Sequence, residues 1–368
     1  MKKNKKIFIL LSIIILSTLI IFFVYNCNNR SAPVYQRGDY SMALSLLDSG
    51  DSLKAVNTME FMDEEDKVVI DYVEFSDASN DVVGYSLINA KTGYVHEFGR
   101  GQLLLDLLKP YELTYEDIRN AKVYYAGPFS IFVEMSDGKI LELMPTSCQF
   151  PSVITRENML KAFEYKIDFN RKPEVNKEIR GKKKDRSFLN SFVPYTTKYF
   201  ENLKIKDRDG RFVYPRGHCA PTAATNIMIY ANENRMTNFS KEYKASDIFA
   251  MFYIAMDTNG GYSGSDYDGT SRSNIAPAYR EVTADMDINP AKIYLKVNPS
   301  RNDMMQAIDD GTLLHVSVDE IDYRNMSHAI AAVDRIGSYF WIADGWREEL
   351  RTLDYGDMRV VQMVEIKF

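Results

Sequence analysis

The sequence predicts an α+β protein held outside a membrane by an N-terminal helix. Three observations carry that prediction. Four lysines (Lys2, Lys3, Lys5, Lys6) precede an uncharged apolar run over residues 7–25. A β-rich stretch follows, to about residue 169. Beyond a charged linker, helical patterns come first and strand patterns afterwards, the order of a segregated α+β unit.

The apolar run holds nineteen residues, which as a helix span about 28 Å, one hydrocarbon thickness. The lysines stay on the cytoplasmic side, so the main chain lies outside the cell membrane. A cleaved signal peptide has a shorter apolar core and a small-residue exit. This run instead leaves through Val24-Tyr25-Asn26-Cys27, which favours an uncleaved single-pass anchor over residues 1–26. Cys27 could serve a lipid attachment signal, but Asn26 stands where such a signal has Gly or Ala.

Composition narrows the rest. The four lysines supply +4 of a formal net charge of -6, so the remainder carries about -10. That argues against nucleic acid as a partner, which calls for a basic face. Three cysteines, Cys27, Cys148 and Cys219, are too few for a disulfide-stapled scaffold. Cys148 reads as a small buried hydrophobe, although a bridge to Cys219 would mask that thiol.

Residues 28–169 form the predicted β-rich domain. Residues 39–47 carry apolar positions at helical spacing. Strand patterns follow over 67–75, 82–88 and 94–98, the last two joined by a turn at 89–93. Helices are predicted over 102–108 and 114–118, then strands over 122–125, 130–134 and 139–143. His96, beside Glu97 in a strand, reads as structural or surface. Residues 170–186 are nearly free of apolar anchors and make a linker or exposed loop. Its run Lys182-Lys183-Lys184 is a solvated face, and the loop is also suited to proteolytic nicking.

Residues 187–368 form the second domain. Helices start at Cys219 and cover 245–256 and 300–309, with Ser300 as the cap. Strands are predicted over 293–297, 313–318, 328–333, 339–343 and 360–366. The loop 257–274 contains Asp266-Tyr267-Asp268-Gly269, which lacks the remainder of a calcium-loop pattern. His315, mid-strand, is a core or sheet-face histidine with one hydrogen bond. A zinc site on Cys219, His315 and His328 has no close-spaced ligand pair to support it, so no metal or other cofactor is predicted.

The chemistry concentrates in three short stretches. In His218-Cys219-Ala220-Pro221-Thr222-Ala223, the cysteine opens a helix, where orphan N–H groups and the helix dipole favour a thiolate. Pro221 suits a first turn. His328, in Ser327-His328-Ala329, enters an apolar strand and could take the thiol proton. Sixteen residues on, Asp344 ends a second apolar strand in Asp344-Gly345-Trp346. A hairpin turning near 334–338 would bring Asp344 to His328, fix the ring tautomer, and let Trp346 shield the pair from water.

These motifs resemble those of bacterial papain-like cysteine peptidases of the C39-like kind. Cys219-Ala220-Pro221-Thr222-Ala223 is similar to their Cys-Gly-Pro-Thr-Ala helix start, and the likeness covers roughly residues 195–368. More weakly, the first domain resembles the β-rich prodomain of streptopain-type peptidases, which precedes and inhibits the catalytic unit. The resemblance implies a papain-like fold, with Cys219 as nucleophile, His328 as general base and acid, and Asp344 as orienter. Pro221, Thr222 and Trp346 would support them. It also implies a peptide or protein substrate and contact between the N-terminal domain and the cleft. One position departs from the family: Val213 stands where a Gln normally donates to the oxyanion. An extracellular peptidase and a catalytically silent surface module that binds peptide, cell wall or a partner are therefore both carried forward.

Overall fold

The computed structural model describes residues 36–47, 53–144, 152–164, 167–171, 192–207, 210–239, 242–260, 269–319 and 327–368. The predicted anchor, Cys27, Cys148, nearly all of the charged linker and the calcium-like Asp266 and Asp268 lie outside them. Among the described residues, no helix is long and apolar enough to cross a membrane.

The N-terminal half begins with helix α1 (Ser41–Leu47) and strands β1 (Lys54–Met62), β2 (Val68–Ser76), β3 (Val82–Asn89) and β4 (Val95–Arg100). Helix α2 (Leu103–Leu108), strands β5 (Lys122–Gly127), β6 (Ser130–Glu134), β7 (Ile140–Glu142) and β8 (Val153–Ile154), and helix α3 (Arg156–Ala162) follow. The C-terminal half opens with a short helix α4 (Thr197–Phe200) and the hairpin β9 (Ile205–Lys206) and β10 (Phe212–Val213). Helices α5 (Cys219–Glu233), α6 (Ala245–Ala255) and α7 (Arg272–Asp285) precede β11 (Lys292–Val297), α8 (Arg301–Asp309) and β12 (Leu313–Val318). Strands β13 (His328–Ile336), β14 (Tyr339–Ala343), β15 (Arg351–Asp354) and β16 (Val360–Lys367) complete it.

The class is mixed α+β with one large sheet. Its order is β11-β16-β12-β13-β14-β15-β4-β3-β2-β1-β5-β6-β7-β8. All neighbouring pairs are antiparallel except β1 with β5. The halves meet where β15 pairs with β4, Thr352 opposite Phe98 and Leu353 opposite Glu97. Thr352 Oγ1 donates to the Phe98 carbonyl at 2.7 Å, so a side chain reinforces the seam.

Local chemistry explains the elements that position the site. Helix α5 is buried on nearly every side, and its Ala220, Ala223, Ala224 and Ala231 let it lie close to β13, which it packs against. In β13, Ile330 and Ala332 join a core with Met304 and Ile308 of α8, as the two-residue period of a strand requires. Ser300 caps α8, accepting from the Asp303 N–H at 3.2 Å, while Asp303 returns to the Ser300 N–H at 2.8 Å.

One predicted helix is absent, and two long elements stand where none was predicted. Residues 114–118 form turns, with Asp117 accepting from the Thr114 N–H and hydroxyl at 2.7 Å each; that side chain competes with the backbone for the donors a helix would need. Strand β1 was not predicted, because its residues are mostly exposed and show no alternation. Helix α7 carries Pro277 internally, a residue that hides a helical pattern.

Candidate active site

Cys219 is the first residue of α5 and a free thiol. The preceding backbone is held closely. Gly217 has a left-handed φ of 49°, and a Cβ there would lie 2.8 Å from the Gly269 nitrogen. Asn259 clamps the same region: its Nδ2 donates to the Arg216 carbonyl, its Oδ1 accepts from the Gly269 N–H at 2.8 Å. Thr222 binds the His218 carbonyl through both its N–H, 3.1 Å, and its hydroxyl, 2.9 Å. Pro221 occupies the third helical position, where its missing N–H costs nothing, and its carbonyl accepts from Thr225 Oγ1 at 2.8 Å.

The sulfur sits among backbone donors. Burial pushes the Cys219 thiol up, while the N–H groups of Ala329, Ala220 and Cys219 itself oppose that rise without overcoming it. Cys219 as a residue is partly exposed. Ala329 is the residue directly after His328, which ties the helix start to the histidine's strand.

His328 is 2 % exposed. Its Nε2 lies 2.6 Å from the Asp344 backbone carbonyl. A carbonyl can only accept, so Nε2 carries a proton. Trp346 stacks on the imidazole with ring centroids 4.0 Å apart and an interplanar angle of 18°. The hairpin accounts for this: β13 and β14 pair Ala331 with Ala343, and that register continued brings residue 346 opposite residue 328. Phe129, from the turn between β5 and β6, adds contacts of 5.9 Å to His328 and 6.0 Å to Trp346.

Asp344 thus meets His328, but through its carbonyl rather than the carboxylate expected of an orienter. The carboxylate turns away. Its Oδ1 accepts from the Trp346 N–H at 2.9 Å and the Arg347 N–H at 3.2 Å, and its Oδ2 lies 2.7 Å from Arg351 Nε. That last contact is an ion pair without hydrogen-bond alignment. Arg351 is fully buried; it also donates to Glu97 Oε2 at 2.7 Å and the Pro128 carbonyl at 2.9 Å. Burial would lower its pKa, but Glu97 and Asp344 raise it above the ordinary arginine range. Arg347 binds Asp106 at 2.9 Å and Tyr85 at 3.2 Å. These ties between the halves escaped sequence reasoning, since charged residues there gave no strand pattern.

The other singled-out residues have structural partners. Val213 pairs with Ile205 and packs against the cluster of Phe200, Phe249 and Tyr253, so it offers no side-chain donor. His96 is buried, not on the surface, 3.0 Å from Asp357. His315 takes one hydrogen bond, 3.1 Å from Tyr279. Among the described residues, no cluster of three or more His, Cys, Asp or Glu is placed to hold a metal.

His315 gives a pH prediction. Burial holds its pKa down at about 3, whereas an unfolded histidine titrates near about 6.5. The unfolded chain therefore binds a proton that the folded chain refuses. This contribution is whole above pH 6.5 and is lost as pH falls towards 3, on the order of 5 kcal/mol in all. His315→Leu is expected to flatten that limb of the stability curve, read by urea unfolding from pH 7 to 4; an unchanged slope would contradict it.

No protein-family model matches the chain, and no curated protein is similar to it at a significant level.

Proposed function

We propose that the protein is an extracytoplasmic, membrane-anchored cysteine peptidase of papain-like fold, held in a latent state by its N-terminal half. The observation that carries this reading is the joint placement of Cys219 at a helix start against the Ala329 amide and of His328 with its Nε2 tied to Asp344. In the proposed reaction Cys219 attacks a peptide or isopeptide carbonyl after His328 takes its proton at Nδ1. The acyl group then sits on sulfur as a thioester, and His328 returns the proton to the leaving amine. Water attacks the thioester and frees the acid and the thiol. Transfer to an amine in place of water is the same chemistry with another acceptor.

The latent state is supported by the thiol's raised pKa and by Phe129 packed beside His328 and Trp346. Phe129 belongs to the N-terminal half, which therefore touches the site. Anchorage through residues 7–25 would set the protein on the cell membrane with its main domains outside.

A silent binding module is the second reading, favoured by Val213. An absent oxyanion donor costs about 3–4 kcal/mol of transition-state stabilisation. The two readings differ in one experiment. A peptide carrying an acyloxymethyl ketone is expected to add covalently to Cys219, with the adduct abolished by Cys219→Ser and lowered at least about a hundredfold by His328→Ala. Labelling that survives His328→Ala undiminished would favour the silent module.

A further inference from the structure

We propose that His218 is a positioning residue that fixes the distance between the nucleophile's helix and the loop holding His328. This rests on the peptidase reading above. His218 precedes Cys219, is 1 % exposed and makes no side-chain cap on α5. Its Nε2 instead lies 2.9 Å from the Thr197 carbonyl, which can only accept, so Nε2 carries the hydrogen. Thr197 in turn donates to the Gly345 carbonyl twice, from its N–H at 2.7 Å and its hydroxyl at 3.1 Å. The adjacent carbonyl, of Asp344, is the one that binds His328.

Two consecutive carbonyls therefore do different work. One orients His328 and the next is tied, through Thr197 and the His218 ring, to the residue beside the thiol. Gly345 closes the strut: its φ is 82°, and a Cβ there would lie 3.4 Å from Thr197 Cγ2 and 3.9 Å from Thr222 Cγ2. A left-handed φ at this position suits glycine, and the threonine methyls line this side of the loop.

A purely structural role would be served better by another residue. The His218 ring stands edge-on to Phe249 at 5.5 Å, and its Nδ1 is buried without a partner. Phenylalanine would fill that space and leave no unpaired nitrogen, whose burial is unfavourable. What histidine adds is the single donor to Thr197.

The test is the pH dependence of Cys219 alkylation by iodoacetamide in the full chain, with thermal melting run alongside. His218→Phe, which keeps the ring and removes the donor, is expected to slow alkylation about tenfold and to erase the inflection that His328→Ala also erases. His218→Gln, which restores a donor at similar reach, is expected to stay within about threefold of the native rate and keep the inflection. Thr197→Val, which removes only the hydroxyl bond, is expected to slow it two- to fivefold and serves if His218→Phe does not fold. A native profile in His218→Phe, or in Thr197→Val where the former is unfolded, overturns the strut. A native chain whose profile does not respond to His328→Ala overturns the peptidase reading itself.

Discussion

Replacing Arg351 with methionine is expected to destabilise the full chain by about 3–5 kcal/mol, the usual loss when one member of a buried ion pair is removed. The guanidinium is fully buried, donates to Glu97 at 2.7 Å and to the Pro128 carbonyl at 2.9 Å, and forms an ion pair with Asp344 at 2.7 Å. Methionine has the reach to fill much of the space. It leaves Glu97 and Asp344, both fully buried, without their cation. The cost is thus desolvated charge more than lost volume. Adding Glu97→Gln removes one of the stranded charges, so the double variant should be less destabilised than the two single costs summed. Urea unfolding midpoints of the four proteins check this, and strict additivity would show that the pair does not interact.

The second large effect concerns Phe129. The ring is 4 % exposed and touches His328, Trp346 and, at 5.3 Å, the Arg351 guanidinium. Aromatic contacts contribute about 0.5–1.5 kcal/mol each beyond area burial. Phe129→Leu, which keeps apolar volume and removes those ring contacts, should therefore raise the rate of covalent labelling at Cys219 about tenfold. Alanine would be the poorer choice, since truncating a buried Phe costs about 3–5 kcal/mol of stability. Labelling kinetics by mass spectrometry measure the effect. An unchanged or slower rate in folded Phe129→Leu would mean that this ring is core packing and restrains nothing.

How much of this was legible in the chain depends on what each residue does. The start of α5 at Cys219, the hairpin joining His328 to Asp344, and Trp346 at the imidazole were readable, because helix starts and strand periods are local patterns. Which atom of Asp344 meets His328 was not. The sixteen-residue spacing is the same for a carbonyl and a carboxylate, and the choice between them falls to Arg351, outside the motif. Nor did the sequence suggest that β15 would pair with β4, since 351–354 carries Arg, Thr and Asp in a strand buried at every position. Those groups are satisfied by partners far away in sequence, including Glu97 and the Phe98 backbone. Long-range pairing of polar side chains leaves no periodic trace. Thr197 escaped for a similar reason: its bonds to Gly345 and His218 join three separate segments.

The most direct test of the central claim is covalent capture of Cys219 in the full chain by the peptide acyloxymethyl ketone, in the native protein and in Phe129→Leu. The account predicts one adduct per chain, mapped to Cys219, formed faster in Phe129→Leu and lost with His328→Ala in either background. A Cys219 that iodoacetamide alkylates but the peptide probe never modifies, in both proteins, would contradict it.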